Sequence, residues 1–138
     1  MNRSSKTKVC QMGKLKIRRA RVEDYAEIRK LIRKFPKHLV FPIPKVGSFF
    51  VAEINGKVTG CCALDIYSKR IAEIRSIAVL PVFHGRKIGS KLIRACLKKA
   101  KAKKVMEVFA VTSKPDMFKK FGFSFMQQEK YILFKKKL

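Results

Sequence analysis

"PVFHGRKIGSKLIRACLKKA", residues 81–100, joins a turn rich in glycine and cations to an apolar repeat at helical spacing. The first backbone N–H groups of a helix have no partner inside the helix, and the helix dipole is positive at that end. Glycine lets an anion come close to such a backbone. We therefore expect this turn to hold a phosphate group at the start of a helix.

The segments before this turn predict a strand, a helix and a run of three antiparallel strands. Residues 15–20 alternate as a strand does, and residues 21–35 carry apolar side chains at helical spacing. Two β-rich runs then flank Asn55-Gly56, a pair typical of a two-residue type I′ hairpin turn. Residues 70–80 supply the third of these antiparallel strands.

The segments after the turn predict two further helices and two further strands. Residues 88–101 form one apolar stripe and should be helical, and residues 105–112 are typical of a strand. A short helix closed near Gly122 and a final strand at residues 130–138 follow. The predicted order is β-α-β-β-β-α-β-α-β, an α/β (α+β) fold with a mixed, mostly antiparallel central sheet flanked by helices.

The charge balance of the chain is extreme. Its 138 residues include 34 Lys and Arg against 9 Asp and Glu, a formal net charge of +25. Such an excess favours polyanions as partners: nucleic acid, an acidic membrane or a phosphorylated cofactor. We expect residues 1–14 to form a basic flexible tail and residues 15–138 to form a single domain.

Several other signals are missing from the sequence. The four cysteines show no paired metal-ligand spacing, which favours buried, reduced thiols and predicts no metal site. No stretch near the first residue is typical of a signal peptide, and no run approaches the ~18 apolar residues of a membrane span. We therefore expect a cytoplasmic protein that does not enter a membrane.

Residues 72–92 resemble the acetyl-coenzyme A (acetyl-CoA) site of the GNAT superfamily of N-acetyltransferases. The family pattern is Arg or Gln, two residues, Gly, one residue, and Gly or Ala. The corresponding segment is "HGRKIG", residues 84–89, in which His84 replaces Arg or Gln and Lys87 replaces the first Gly. "AEIRSIAVLP" resembles the family's fourth strand, and "FKKFGF" resembles its signature near the C-terminal end.

The closest resemblance is to the acetyltransferase domain of N-acetylglutamate synthases, carried by "LDIYSKRIAEIRSIAV" and "VTSKPDMFKKFGF". It implies direct attack of a primary amine on the thioester of acetyl-CoA, with the α-amino group of glutamate or a similar amino acid as acceptor. Acetyl-CoA would be the co-substrate, and no metal would be needed. Two alternatives stay open: a basic nucleic-acid-binding module, and a GNAT enzyme acting on a protein or another amine. A homodimer and incidental binding of polyanions are also left open.

The resemblance assigns two groups of residues to the cofactor. The backbone of the strand before the turn would pair with the pantetheine arm, and a bulge there would point the Val79 N–H at the thioester oxygen. The backbone of the turn would surround the pyrophosphate. These residues are Ile77, Ala78 and Val79 in the strand, and His84, Gly85, Arg86, Lys87, Ile88, Gly89 and Ser90 in the turn. The alternative is an ordinary core strand followed by a basic helix start without a ligand.

Glu73 is the candidate catalytic base, because the family often has a carboxylate here that takes a proton from the incoming ammonium through water. Alternation along the strand predicts that Glu73 shares a face with Ile71, Arg75, Ile77 and Val79. The alternative role for Glu73 is a salt bridge with Arg75.

The acceptor contacts are expected at the turn that precedes this strand. Tyr67, Ser68, Lys69 and Arg75 occupy positions where the synthase-like proteins present substrate contacts, and Arg suits bidentate binding of a carboxylate. The alternative for this segment is a solvated turn. Where the family commonly has a proton-donating tyrosine, this chain has Phe118, so the identity of a general acid is open.

Overall fold

The computed structural model describes residues 13–35 and 42–125, which form a five-stranded sheet with a helix packed on each face. The strands are β1 (Lys16–Arg19), β2 (Phe49–Ile54), β3 (Lys57–Ile66), β4 (Ile71–Val79) and β5 (Glu107–Ala110). The α-helices are α1 (Tyr25–Arg33), α2 (Ile88–Ala102) and α3 (Asp116–Lys119). The final predicted strand and residues 1–12 of the predicted tail lie outside the described residues.

The strands lie side by side in the order in which they occur in the chain. Neighbours from β1 to β4 are antiparallel, and β5 runs parallel to β4, because α2 carries the chain back between them. At the β2–β3 hairpin, Asn55 and Gly56 have φ angles of 52° and 76°, the positive values that a type I′ turn requires. The predicted mixed, mostly antiparallel sheet is therefore confirmed.

Each face of the sheet buries one helix. On one face, Ile28 and Leu31 of α1 pack against β2 and β3 residues such as Val51. On the other face, Leu92 and Ile93 of α2 pack against the opposite side of the same strands. In the part of the chain that the structure describes, no helix is long and apolar enough to span a membrane.

The cysteines of the sheet confirm this two-sided burial. Cys61 and Cys62 are neighbours in β3 and are buried in the cores on opposite faces. Cys96 of α2 lies with its Sγ atom 3.7 Å from that of Cys62, and all three are free thiols, as expected. Burial raises the pKa of the Cys61 thiol to about 12, so this thiol stays protonated at neutral pH.

Gly60 of β3 sets the close approach of α2 to the sheet. A Cβ atom at this position would lie 3.3 Å from the Ala78 carbonyl oxygen and 3.3 Å from side-chain carbons of Ile88 and Leu92. These distances are at the tight end of van der Waals contact, so a larger residue would push the helix away. The missing side chain therefore lets the first turn of α2 pack beside the end of β4.

Candidate active site

β4 contains a bulge at Ser76. Arg75 lies opposite Ala63 of β3, and Ala78 lies opposite Cys61, so three steps along β4 match two steps along β3. Ser76 has a φ angle of 56°, in the left-handed region that few residues other than glycine adopt. A bulge of this kind shifts the following side chains to the other face of the sheet.

Because of the bulge, Glu73 lies on a different face of the sheet from the residues predicted to be beside it. Ile77 and Val79 pack against the core under α2, with Ile74. Glu73 precedes Ile74 and pairs with Asp65 of β3, so its side chain lies on the α1 face. The prediction that Glu73 shares a face with Ile77 and Val79 was wrong, because strict alternation does not continue through a bulge.

The bulge also marks the point where β4 and β5 separate. The two strands pair from Ile71 opposite Glu107 to Ile74 opposite Ala110, and no later pairing between them occurs among the described residues. The outer edge of the second half of β4 is therefore unpaired among the described residues, and we call the space beside this edge the cleft.

The backbone of Val79 faces this cleft. The Leu80 N–H donates to the Thr59 carbonyl of β3 at 2.9 Å. Because backbone groups point to alternate sides along a strand, the Val79 N–H and carbonyl point away from β3. The His84 ring donates from Nε2 to the Val79 carbonyl at 2.7 Å, which leaves the Val79 N–H for another acceptor. His84 therefore closes the turn onto the strand by a side-chain contact.

The turn between β4 and α2 presents a run of unpartnered backbone donors. Gly85 and Lys87 have φ angles of 84° and 60°, and α2 begins at Ile88 without a side-chain cap. The first amide of this segment that bonds to a described backbone carbonyl is that of Lys91, which donates to Lys87 at 3.1 Å. The six N–H groups of residues 85–90 therefore have no backbone acceptor among the described residues, the arrangement that suits an anion.

The side chains of this turn differ in their exposure. Those of Arg86 and Lys87 are exposed, and the Arg86 guanidinium lies 5.9 Å from the centroid of the Phe83 ring. Ile88 and Ser90 are buried, so they can reach a ligand in the turn through their backbone amides.

Glu73 belongs to a hydrogen-bonded cluster on the α1 face. The Tyr67 hydroxyl donates to Glu73 Oε1 at 2.5 Å and also contacts Arg75. Burial, followed by the hydrogen bond to Glu73, raises the pKa of Tyr67 above its usual value. Tyr67 is therefore a neutral donor at physiological pH and holds one carboxylate oxygen of Glu73.

Arg75 completes this cluster and has its own partners. Its Nη1 atom lies 3.3 Å from Asp65 Oδ2, and Nη2 donates to the Pro42 carbonyl at 2.7 Å. The ion pair of Arg75 is thus with Asp65 across the sheet, where the sequence suggested Glu73. Arg75 ties the β3–β4 hairpin to the segment at Pro42, and it is less available to a substrate carboxylate than we expected.

The predicted acceptor residues are brought only partly together. Tyr67 and Arg75 lie beside Glu73, whereas Ser68 and Lys69 lie in the exposed turn at the end of the hairpin. The Ser68 hydroxyl accepts hydrogen bonds from the backbone N–H groups of Arg70 at 3.1 Å and Ile71 at 3.3 Å. Ser68 therefore shapes the turn, while the side chain of Lys69 remains exposed.

A basic groove adjoins the turn, and its residues were missed in the sequence apart from Lys87 and Ser90. Its volume is about 350 Å³. The lining residues come from the turn, α2 and the end of α3: Lys87, Ser90, Lys91, Arg94, Lys120 and Phe121. The spacing of Lys87, Lys91 and Arg94 along one helix face was the available signal, but the contribution of Lys120 depends on tertiary packing.

The described residues contain no group of three or more His, Cys, Asp or Glu side chains that could hold a metal ion. The groups described above at the site are the half-buried carboxylate of Glu73, backbone donors and surrounding cations.

Comparison with known proteins identifies the family. The profile of the acetyltransferase (GNAT) domain matches residues 45–125, which is more than half of the chain. The chain belongs to the GNAT acetyltransferase family. This membership confirms the predicted family, fold class and enzyme class, and it places the turn of residues 84–89 within the matched region of the GNAT domain.

One curated relative and two solved structures illustrate the similarity. The amino-acid acetyltransferase of Mycobacterium tuberculosis is 33% identical over 117 residues, which cover 78% of this chain and 67% of the relative. A crystal structure of a Mycobacterium tuberculosis protein in complex with CoA and a second ligand has a TM-score of 0.76 at 30% identity, covering 81% of this chain and 73% of that one. N-acetylglutamate synthase from Neisseria gonorrhoeae, complexed with coenzyme A and L-arginine, has a TM-score of 0.73 at 25% identity, covering 88% of this chain and 30% of that one.

The match is partial in length. This chain spans between about half and two thirds of the length of the curated relatives it matches first. The residues matched by the GNAT profile, 45–125, contain strands β2 to β5, the turn between β4 and α2, and the helices α2 and α3.

The usual tyrosine of the GNAT family has no functional counterpart at Phe118. This side chain is 4% exposed and packs edge-to-face on Phe123, with ring centroids 5.3 Å apart. Phe118 is a core residue of the α2 face and has no proton to donate.

Proposed function

We propose that this chain transfers the acetyl group of acetyl-CoA to the α-amino group of a small acidic amino acid, most simply glutamate. The amine nitrogen attacks the thioester carbonyl carbon, a C–N bond forms, the C–S bond breaks and coenzyme A leaves as the thiolate. Glu73 takes the proton that the amine loses, and the Val79 N–H donates to the oxygen on which negative charge develops.

The observation that carries this proposal is the division of β4 at its bulge. Before the bulge, β4 presents the half-buried carboxylate of Glu73; after it, the strand edge lies open to a cleft and continues into six unpartnered amides. A thioester cofactor with a pyrophosphate needs a strand edge for its amide-bearing arm and N–H donors for its phosphates. Both occur on one continuous stretch of chain.

Glu73 suits proton removal through water. It lies before the bulge and the unpaired strand edge follows the bulge, so a bridging water can connect the carboxylate to an amine beside the cleft. Tyr67 holds one of its oxygens, so the other is left to accept a proton. The thiolate of coenzyme A is a fair leaving group, so no general acid is assigned.

The acidic acceptor is supported by charge and by the relatives. The turn beside Glu73 carries the exposed cations Lys69 and Arg70. These can attract a substrate with two carboxylates and would repel a polyamine. The named activities of the relatives, an amino-acid acetyltransferase and an N-acetylglutamate synthase, agree with this class of acceptor.

The test is release of free coenzyme A thiol from acetyl-CoA across a panel of amino acids, peptides and amines, with the wild type and Glu73→Gln. We expect turnover with glutamate or aspartate that depends on Glu73. Turnover of neutral or cationic amines alone would contradict the acceptor class and leave acetyl transfer intact. No thiol release with any amine would contradict acetyl transfer itself.

A second candidate function, binding of a polyanion such as nucleic acid, is favoured by the surface around α2. Residues 80–106 contain nine Lys and Arg and no Asp or Glu, and α2 residues make none of the ion pairs found within the described residues. A second groove of about 460 Å³ is lined by apolar residues, among them Ile17 and Phe50, and by the cations Lys91, Arg94, Lys98 and Lys99. Burial, with Arg19 nearby, lowers the pKa of Lys99 in this groove.

Titration with nucleic acid and with coenzyme A at low and high salt separates the two functions. Phosphate-backbone binding weakens steeply with salt, because each contacted phosphate releases counterions. We expect salt to abolish nucleic-acid binding while much of the coenzyme A binding remains. Coenzyme A binding that disappears together with nucleic-acid binding would indicate one shared, nonspecific cationic surface.

A further inference from the structure

We propose that Tyr67 and Phe109, two exposed rings beside Glu73, bind the side-chain methylenes of the acceptor, so that this chain favours amino acids with long, unbranched side chains. We call these two residues the aromatic pair. The inference rests on the proposed function, because it assigns a part of the same acceptor site. It adds Phe109, to which no motif of the sequence pointed, and it gives the Tyr67 ring a role separate from that of its hydroxyl.

The register of the sheet places Phe109 beside Glu73. The two residues lie opposite each other where β5 pairs with β4, and neighbouring strands are about 4.8 Å apart. Val108 and Ala110 pack against the core under α2, so Phe109 between them points to the α1 face, as Glu73 does. The proposed base and the Phe109 ring are therefore direct neighbours on one surface.

The Tyr67 ring belongs to the same surface. Its hydroxyl donates to Glu73 Oε1, and its ring centroid lies 6.4 Å from that of Phe109, with 33° between the ring planes. Because this hydroxyl is engaged by the carboxylate, the two rings offer apolar carbon to a ligand. An amine that loses its proton to Glu73 through one water therefore has its carbon chain within reach of the aromatic pair.

The aromatic pair is not covered by the core of the α1 face. That core includes no residue of β5 within the described ranges. Phe109 is 37% exposed and Tyr67 is 54% exposed. Removing such apolar surface from water is favourable, and methylenes of a bound acceptor would do so.

The opposite side of Glu73 is polar, which directs the carbon chain of the acceptor toward the aromatic pair. Asp65 lies opposite Glu73 in β3 and forms an ion pair with Arg75 at 3.3 Å. Methylenes placed over this ion pair would remove charged groups from water, which is unfavourable. We therefore assign the side chain of the acceptor to the β5 side of Glu73.

The apolar contact predicts an order of acceptors. Aspartate, glutamate and 2-aminoadipate carry the same charges and have one, two and three side-chain methylenes. A fully buried methylene strengthens binding about fourfold, and one that rests on a ring from one side gains part of this. Both rings are exposed enough for a third methylene to meet apolar carbon, so kcat/KM should rise at each step of the series.

The experiment measures kcat/KM for these three acceptors by release of coenzyme A thiol at saturating acetyl-CoA. The test variant Phe109→Ala removes the ring, and Phe109→Leu keeps apolar carbon at the same position. The matched control is Phe125→Ala, which makes the same truncation at a ring that is 69% exposed and lies 4.9 Å from the Lys119 ammonium. Each ratio between two acceptors is taken within one protein, so a smaller folded fraction or a weaker base cancels from it.

We expect 2-aminoadipate to exceed aspartate in kcat/KM about tenfold in the wild type and in the control, and about twofold in Phe109→Ala. Phe109→Leu should retain most of the wild-type ratio. A wild-type ratio near one, a fall from glutamate to 2-aminoadipate, or an unchanged ratio in Phe109→Ala would overturn the assignment. An equal loss of the ratio in Phe109→Leu and Phe109→Ala would also overturn it, because apolar carbon would then not be what the acceptor contacts.

These outcomes differ from a failure of the proposed function. Any of them leaves acetyl transfer to an acidic amino acid intact, because each is a ratio between acceptors that turn over. No thiol release by the wild type with any amine would instead contradict acetyl transfer itself, and the inference with it.

Discussion

The two halves of β4 differ in the groups that they expose to a ligand. From Ala72 to Arg75 the backbone is paired with β3, and from Ile71 to Ile74 it is paired with β5. The group that this half offers to a ligand is therefore a side chain, that of Glu73. Beyond the bulge at Ser76 the side chains are core residues, and what the strand offers is its open backbone edge. In the function that we propose, a single extra residue thus separates the group for proton transfer from the groups for cofactor binding along one strand.

This comparison predicts that substitutions in the two halves change different kinetic quantities. In the first half they should alter kcat with little effect on cofactor affinity. In the second half and the turn that follows, they should alter cofactor affinity through shape and charge. The predictions below run from the largest expected effect to the smallest.

The largest effect is expected from Glu73→Gln. The substitution keeps the shape of the side chain and removes the proton acceptor, so kcat should fall about a hundredfold to ten-thousandfold while the dissociation constant of acetyl-CoA changes little. The defect should shrink as pH approaches the pKa of the acceptor amine, where neutral amine is supplied by the solvent. The pH–rate profile and the melting temperature of this variant check the prediction, and a stable variant with an unchanged profile would show that Glu73 is not the base.

The next effect is expected from Gly89→Glu in the first turn of α2. A Cβ atom here meets only ordinary contacts, with Met117 Sδ at 3.4 Å and Ile77 Cδ1 at 3.7 Å, so the helix should remain folded. The added carboxylate lies near the proposed pyrophosphate site, and like charges in contact cost several kcal/mol. We expect acetyl-CoA to bind at least about thirtyfold more weakly, by calorimetry.

Gly89→Ala is the matched control for that prediction. It adds a methyl group at the same position, with the same neighbours and no charge, and alanine favours the helix. Its affinity for acetyl-CoA should stay close to that of the wild type. Equal losses in the two variants would mean that bulk, not charge, causes the effect; no loss in either would place the pyrophosphate elsewhere.

A smaller effect is expected from Tyr67→Phe. The ring keeps its contact with Phe109, with centroids 6.4 Å apart, and the hydroxyl that donates to Glu73 is lost. One hydrogen bond contributes about 0.5–1.5 kcal/mol, so kcat should fall about threefold to tenfold. In a Glu73→Gln background the same change should have almost no further effect on kcat. Equal effects in both backgrounds would mean that Tyr67 acts independently of Glu73.

The features that the sequence predicted correctly are local ones. The Asn55-Gly56 turn, the helical repeat of α2 and the glycine–cation turn are each defined by neighbouring residues, and each occurs where the pattern placed it. The face of the sheet on which each β4 side chain lies was predicted correctly only as far as Arg75. Ser76 adopts its left-handed conformation without a glycine, so the local residue types do not indicate the bulge, whereas the resemblance to the GNAT family implied a bulge in this strand.

The contacts that shape the candidate site depend on distant residues. Arg75 binds Asp65 and the Pro42 carbonyl, which lie 10 and 33 positions away in the chain. The Tyr67–Glu73 hydrogen bond crosses the β3–β4 turn, and the groove needs Lys120 from the end of α3 beside α2. Patterns along one strand or helix cannot indicate such partners, whereas the resemblance to the GNAT family is the source of the proposals for Glu73 and for the turn of residues 84–90.

We expect the smallest effect from Asp24→Asn. This variant tests whether substitutions away from β4 leave kcat and cofactor affinity unchanged. Asp24 lies at the start of α1, where Arg18 donates to its Oδ2 atom at 2.7 Å and the Arg21 N–H donates at 2.6 Å. The hydrogen bond from Arg18, followed by that from the Arg21 backbone, lowers the pKa of Asp24 below its usual 3.8. A lowered pKa in the folded state means that this stabilisation is fully present above about pH 3.8 and is lost as pH falls below it.

Asp24→Asn should therefore reduce the free energy of unfolding at neutral pH by about 1 kcal/mol, because Arg18 keeps Glu53 at 3.0 Å as a second partner. The difference between variant and wild type should narrow as pH falls below 3.8, since the wild-type carboxylate is then protonated. Denaturant unfolding at several pH values measures both quantities. Both kcat and acetyl-CoA affinity should stay at wild-type values, because this cluster joins β1 to α1 and touches neither half of β4. A change in kcat comparable to that of Tyr67→Phe would show that catalysis depends on the sheet as a whole. The assignment of proton transfer to the first half of β4 and of cofactor binding to the second half would then be contradicted.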